Sequence, residues 1–346
     1  MDKPIFNYIH VAATYTKVGN LQKIGNLGPK EFQSSALVRL ENRLRGMLLR
    51  KEVGEQGLSN ILWAFASFFK AMPAVLDLVP AVAEQIPGKA GDMIPQALSN
   101  SLWAAAKLKN ASTKVLKIVP ALVQQIPLKA GGMKPQEVSN SLWAAVQLKD
   151  ACPEEVLKIV PVLLEQIPLK ASNMRSQHLS NSLWAAAQLA DASPAVRRAV
   201  LALVQTVQEK ISGMNGQQLS NIVEALVFLE ESFPIPELPA IVKAAAARLN
   251  CILPSASGKG LMFDVPMVVW ACCRTNVDDA KFFSAVAERF SSQRALSSVP
   301  DWGVCALILG SSFEWILKDF SRNFAFDVSS GLQVLDIHVW PSGHWH

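Results

Sequence analysis

The chain has 346 residues, half of them hydrophobic and only 18% charged, where soluble domains usually carry about a quarter. That composition excludes a disordered, charge-rich chain, and five cysteines with no CxxC pair exclude a disulfide scaffold. The net charge of +5 is a mild basic bias, compatible with a nucleic-acid partner without selecting one. Lys, Asn, Gln, Ser or Pro breaks every apolar stretch well short of the ~20 residues that a spanning helix needs, so no membrane span is expected. No apolar signal segment follows Met1-Asp2-Lys3-Pro4, and no transit peptide is visible.

In chain order, the first recognisable element is Asn7 to His10 followed by Val11-Ala12-Ala13. It looks like a worn copy of a motif that recurs later, with His10 where the later copies have Trp. A basic run follows, Arg39, Arg43, Arg45, Arg50 and Lys51, with Glu41 inside it. Such a run is ordinarily a solvated helix face and less often a phosphate-binding one.

The motif is then explicit. Leu58-Ser-Asn-Ile-Leu-Trp63-Ala, Leu98-Ser-Asn-Ser-Leu-Trp103-Ala, Val138-Ser-Asn-Ser-Leu-Trp143-Ala and Leu179-Ser-Asn-Ser-Leu-Trp184-Ala follow one another at steps of 40, 40 and 41 residues. A fifth copy, Leu219 to Ala225, comes 40 residues on and puts Glu224 in the Trp place. Such self-similarity overrides any domain count taken from length.

Each unit reads as two helices. Pro95 to about Lys109 is helix A of the second unit, with Leu98, Leu102, Ala105 and Leu108 on one face and Pro95 where a missing N–H costs nothing. Thr113 to about Lys129 is helix B, which Gly131-Gly132 stop. Pro80, Pro120 and Pro161 interrupt helix B, so it is either kinked there or starts there. Two such helices cannot bury their apolar faces alone. The fold expected is therefore all-α, an α-solenoid of stacked two-helix repeats with a period of about 40 residues.

Residues 1–57 are expected to hold the worn repeat and basic helix, 58–250 five clear repeats, and 251–329 an insertion with degenerate copies. The insertion is placed at 251–266, because the step from Glu224 to Trp270 is 46; a further degenerate copy surrounds Cys305. Residues 330–346 match no repeat. Repeats that begin so near residue 1 lead us to expect a piece of a longer array, or a chain that has lost a leader.

Counting along helix A with Trp as zero exposes a second face. Gln56, Gln96, Gln136, Gln177 and Gln217 sit at minus seven. Asn60, Asn100, Asn140, Asn181 and Asn221 sit at minus three, and Ser67, Lys107, Gln147, Gln188 and Phe228 at plus four. At 100° per residue these share one stripe with the Trp. The structural reading is that Asn bridges neighbouring repeats and Trp fills the gap between them. The functional reading is that amides meet base edges and Trp stacks on bases. Only the variable plus-four residue can distinguish bases. A second ladder, Lys89, Lys129, Lys170 and Lys210, lies fourteen residues before each Trp position. It would either follow a sugar-phosphate chain or complement the dipole at the end of helix B.

Catalytic signals are missing. Ser255 to Gly260 resembles a phosphate loop, but Leu253 stands where the first Gly belongs and Gly260 follows Lys259 instead of Ser or Thr. His338, His344 and His346 have no carboxylate or thiol cluster to complete a metal site. No catalytic residue, metal or cofactor is therefore expected.

The motif from Leu98 to Leu108 at this period resembles the octotricopeptide-type repeats of organellar RNA-binding proteins. It is also similar to the repeat domain of an RNA-editing substrate-binding complex subunit and to the helical region of the Fas-activated serine/threonine kinase family. The likeness covers residues 55–230 well and 5–310 weakly. It implies a helical-pair solenoid that binds RNA in a mitochondrion or plastid and affects its processing, stability or translation. The tandem-proline signature of the best-defined octotricopeptide repeats is missing. No RAP-type nuclease-like domain is recognisable in the sequence after residue 310, which removes the family's usual argument for cleavage.

The expected function is thus non-enzymatic binding of single-stranded RNA, with other RNA-processing proteins as further partners and neither membrane nor small-molecule substrate. Affinity is assigned to Lys89, Lys129, Lys170, Lys210 and the run Arg39, Arg43 and Arg45. Base preference is assigned to Ser67, Lys107, Gln147 and Gln188 beside Asn60, Asn100, Asn140, Asn181 and Asn221. Without an organellar address the location defaults to cytoplasmic. The alternative is a protein-binding α-solenoid scaffold without direct RNA contact.

Overall fold

The computed structural model describes residues 7–23, 34–190, 193–254 and 261–290. Among them are helices and turns and no strands, and no helix is long and apolar enough to cross a membrane. The copy around Cys305, the phosphate-loop look-alike and the tail lie outside the described residues. The chain divides into two compact units, residues 1–207 and 208–346.

The first unit is a stack of helical pairs. Its A helices are α1 (Tyr8–Lys23), α3 (Glu55–Phe68), α5 (Pro95–Leu108), α7 (Pro135–Leu148) and α10 (Ser176–Gln188). Each packs on the next, α1 on α3, α3 on α5, α5 on α7 and α7 on α10. The B helices are α2 (Ser35–Leu49), α4 (Val79–Gln85), α6 (Val119–Lys129), α9 (Val160–Lys170) and α11 (Ala195–Lys210). The one-turn α8 (Pro153–Val156) precedes α9. Leucine, valine and alanine from both rows make the core, with Leu58, Leu62, Leu98, Leu102, Leu122 and Leu142 fully buried. Deep burial of this many apolar side chains accounts for a composition that is half hydrophobic.

Helix B starts at its proline. Pro80, Pro120 and Pro161 occupy the first turn of α4, α6 and α9, where no intrahelical N–H bond is lost. Ahead of them the chain runs as a 3-10 turn, Pro73–Asp77 and Thr113–Ile118 in the first two cases. The last pair of this unit supplies the control: α11 has no proline within it and is continuous over 16 residues.

Two expectations are corrected. The worn N-terminal copy is a helix, but His10 does not stand in the Trp place. A side chain at Gly19 would meet Trp63 at 3.1 Å, whereas His10 is exposed and bonded to Asn7. The smallest residue lies where the bulky indole needs room. The stretch 251–266, expected to be an irregular insertion, is helical at both of its described ends, while residues 255–260 lie outside the described residues. Helix α13 (Leu238–Ile252) runs into it and α14 (Leu261–Arg274) starts within it, since Leu261 and Val265 bury on the apolar face that continues through Val268 and Val269.

The second unit holds α12 (Gly216–Glu230), α13, α14 and α15 (Ala280–Arg289). Here α12 packs on both α13 and α14, and α13 on both α14 and α15.

Candidate nucleic-acid interface

Helix A is buried almost all round. In α5 every residue from Ala97 to Leu108 is buried except Asn100, Trp103 and Lys107. With Gln96 they are the minus-seven, minus-three, zero and plus-four positions. In α7 the same four places, Gln136, Asn140, Trp143 and Gln147, remain accessible, joined by Val146. The sequence stripe is thus the one face that this row of helices leaves open.

The tryptophans form a ladder across it. The Trp63 and Trp103 rings are 6.5 Å apart at 34°, and Trp103 and Trp143 are 6.3 Å apart at 37°. Trp184 is buried, with 6% of its surface exposed. In the second unit the aromatic moves along the stripe: Phe228, at plus four, lies 5.9 Å from Trp270, and Glu224 is buried in the Trp place.

The asparagines do not bridge repeats. Asn60 accepts from Gln56 on its own helix at 3.1 Å. Asn100, Asn140 and Asn181 are half-buried and their amides make no hydrogen bond among the described residues. Asn221 is buried. The bridging role belongs instead to the serine one place earlier. Ser59 donates to the Ala97 carbonyl at 2.9 Å, Ser99 to Glu137 at 2.9 Å and Ser139 to His178 at 3.1 Å. Its invariance in every copy was the signal for this, since an identical residue each period implies an identical neighbour.

The plus-four residues come together on adjacent helices but differ in availability. The Ser67 hydroxyl is taken by the Trp63 carbonyl at 2.9 Å. Lys107 Nζ lies over two indoles, 5.9 Å from the Trp103 ring centre and 5.0 Å from that of Trp143, a cation–π arrangement. Burial, and secondarily the nearby charge of Lys70, lowers its pKa. Gln147 is half-buried and Gln188 exposed.

Three rungs of the lysine ladder are structural. Lys89 donates to the Val53 carbonyl at 2.6 Å. Lys129 donates to those of Gly91 and Met93, both at 2.6 Å, and Lys170 to that of Gly131 at 3.1 Å. Each ammonium ties its repeat to the turn that leads into the preceding A helix. These three form neither an open cationic row nor a set of carboxylate pairs. Lys210, the last residue of α11, is half-buried. Arg39, Arg43 and Arg45 lie on α2, a B helix, where Arg39 bonds Ser35 and Arg45 pairs with Glu41 at 3.1 Å. The structure therefore puts these arginines on the other row of helices, away from the stripe.

No group of three His, Cys, Asp or Glu is placed to hold a metal among the described residues. Arrayed amides, half-exposed indoles and a desolvated lysine can stack, hydrogen-bond and attract anions. A scan of family models finds no match to this chain, and a search of curated proteins returns none either.

Proposed function

We propose that this protein binds single-stranded RNA, without catalysing a reaction, on the open stripe of its A helices. The observation that carries the reading is the set of Asn100, Asn140 and Asn181 amides, repeated at one register, accessible and unbonded beside a tryptophan ladder. Asparagine is unfavourable within a helix unless its amide is used, and these amides are left to solvent or to a ligand. Amides recognise base edges and indoles provide stacking area, the two contacts that single-stranded RNA offers and duplex RNA hides. The resemblance of the motif supports a place in mitochondrial or plastid RNA processing, stability or translation, beside other RNA-processing proteins.

The test is titration of a labelled random single-stranded RNA with the purified chain, in parallel with a variant carrying Asn100→Ala, Asn140→Ala and Asn181→Ala. Tight binding by the wild type that drops tenfold or more in the variant, at unchanged melting temperature, supports the reading. Binding to the variant as tight as to the wild type removes the stripe from the RNA-binding surface.

One feature favours a protein-binding scaffold instead. Leu169 and Leu201 are exposed, at 72% and 43%, and line an open cleft between α9 and α11 with Leu164 and Pro168. An apolar cleft on the B row fits a protein surface better than a nucleic acid.

A further inference from the structure

RNA bound on the stripe needs cations for its backbone phosphates, and the lysines at minus fourteen are already engaged. Resting on the RNA-binding reading, we infer that Lys107 and Lys70 grip the phosphates of a single strand crossing α3, α5 and α7, with its bases turned toward the tryptophan and asparagine rows.

The folded protein gives the Lys107 ammonium two indole faces but no anion among the described residues. The side chain is half-buried over the Trp103 and Trp143 rings. It makes no ion pair or hydrogen bond among the described residues, and the charge acting on it is another lysine, Lys70, which also has no such partner. Two neighbouring cations beside two indole faces form a site whose missing component is an anion. Strand phosphates at the two ammoniums would offset their repulsion, which comes after burial among the causes of the lowered Lys107 pKa. The lysines at minus fourteen are unlike this pair, since Lys89, Lys129 and Lys170 already donate to backbone carbonyls.

The surroundings give the strand its direction. Lys70, Lys109 and Lys149 stand at the carboxyl ends of α3, α5 and α7, followed by the single acid Asp150. Of these, Lys109 is committed to the Gln147 carbonyl. The matching places of the fifth repeat carry Glu230 and Glu231. The cationic edge therefore belongs to the repeats whose tryptophans are half-exposed. Inward from it come Trp103 and Trp143 and then the open amides of Asn100 and Asn140. The indoles do not sandwich a base: their centres are 6.3 Å apart and tilted by 37°, whereas a base between parallel rings needs about 6.8 Å, two stacking steps of ~3.4 Å. Bases would lie against the accessible indole edges, within reach of the amides. A single strand offers phosphates beside bases that can both stack and hydrogen-bond, and so matches both halves of this arrangement.

The experiment measures affinity for a labelled random single-stranded RNA across a salt series. The wild type is compared with Lys107→Gln, Lys70→Gln and the double variant. An oligoglutamate peptide of equal charge serves as the second probe. The double variant is expected to bind RNA at least tenfold more weakly at low salt. Its slope of log affinity against log salt should fall by about 1.4, at ~0.7 for each phosphate no longer neutralised. Lys70→Gln alone, on an exposed side chain, should give half of that slope change with no effect on folding. Wild-type RNA binding with an unchanged slope in the double variant overturns the phosphate site and leaves the RNA reading standing. No wild-type RNA binding at low salt overturns both. Oligoglutamate bound as tightly as RNA, with the same loss in the double variant, shows an anion site that serves a protein partner and overturns the inference.

Discussion

The Ser99 hydroxyl donates to the carbonyl of Glu137, 2.9 Å away and one repeat further along the chain. Ser99 is fully buried, and Ser59 and Ser139 make the same bond. Ser99→Ala removes the donor and leaves a buried carbonyl with one partner fewer. We expect a loss of about 1 kcal/mol, or ~2–4 °C in melting temperature. Thermal unfolding of the single variant checks this. The doubly changed Ser59→Ala/Ser99→Ala should lose the sum, because the two bonds share no residue.

Lys129 holds the carbonyls of Gly91 and Met93. Lys129→Met is therefore expected to cost stability, about 1 kcal/mol, while RNA affinity changes less than twofold. Urea melts and RNA titrations on the same sample decide it. A large loss of affinity at unchanged stability would return this ladder to the binding surface.

At one register position, opposite exchanges in two repeats should both destabilise, by different routes and amounts. Pro120 lies in the first turn of α6, so Pro120→Ala removes no strain and frees the unfolded chain. It should destabilise by about 0.4–1 kcal/mol. Leu201 occupies the matching place within the continuous α11. Leu201→Pro breaks a helical hydrogen bond there and should cost ~3 kcal/mol or more. Circular dichroism should show helix loss only in the second variant.

In the second unit, burial pushes the Asp264 carboxyl up to about 6, with a hydrogen bond from Ser220 pulling the other way. The folded state thus holds this proton more tightly than the unfolded chain, whose carboxyl titrates near 3.9. Its contribution is present below about pH 4 and is lost as the pH rises through 6. Asp264→Asn should flatten that part of the stability profile between pH 4 and 7, read by urea unfolding at stepped pH. A side chain at Gly216 would come within 2.7 Å of Asp264 Oδ2. Gly216→Ala should accordingly destabilise by about 1–3 kcal/mol.

The repeat, the A helices and their open stripe are legible in the sequence, because a period near 40 superposes the copies and the helical 100° then sorts the residues by face. Whether the prolines kink helix B or begin it depends on backbone geometry, which spacing alone leaves open. The carbonyl bonds of the lysine ladder are not legible, for a physical reason. The ladder's partners are main-chain carbonyls 36 to 39 residues earlier, and a carbonyl has no letter in the sequence. The same holds for the serine, whose acceptor lies in the next repeat. Lys107 is the reverse case: its plus-four place is visible, but its seat over two indoles depends on the angle at which α5 meets α7.

The serine and lysine bonds also set a timetable for synthesis. Ser59, Ser99 and Ser139 each wait for an acceptor one repeat on, and the turn at Gly91 and Met93 waits for Lys129, so these three repeats are not chemically finished until the next has left the ribosome. Their ordering must trail elongation by about one period, and a ribosome stalled among them presents one incompletely bonded repeat to chaperones and proteases.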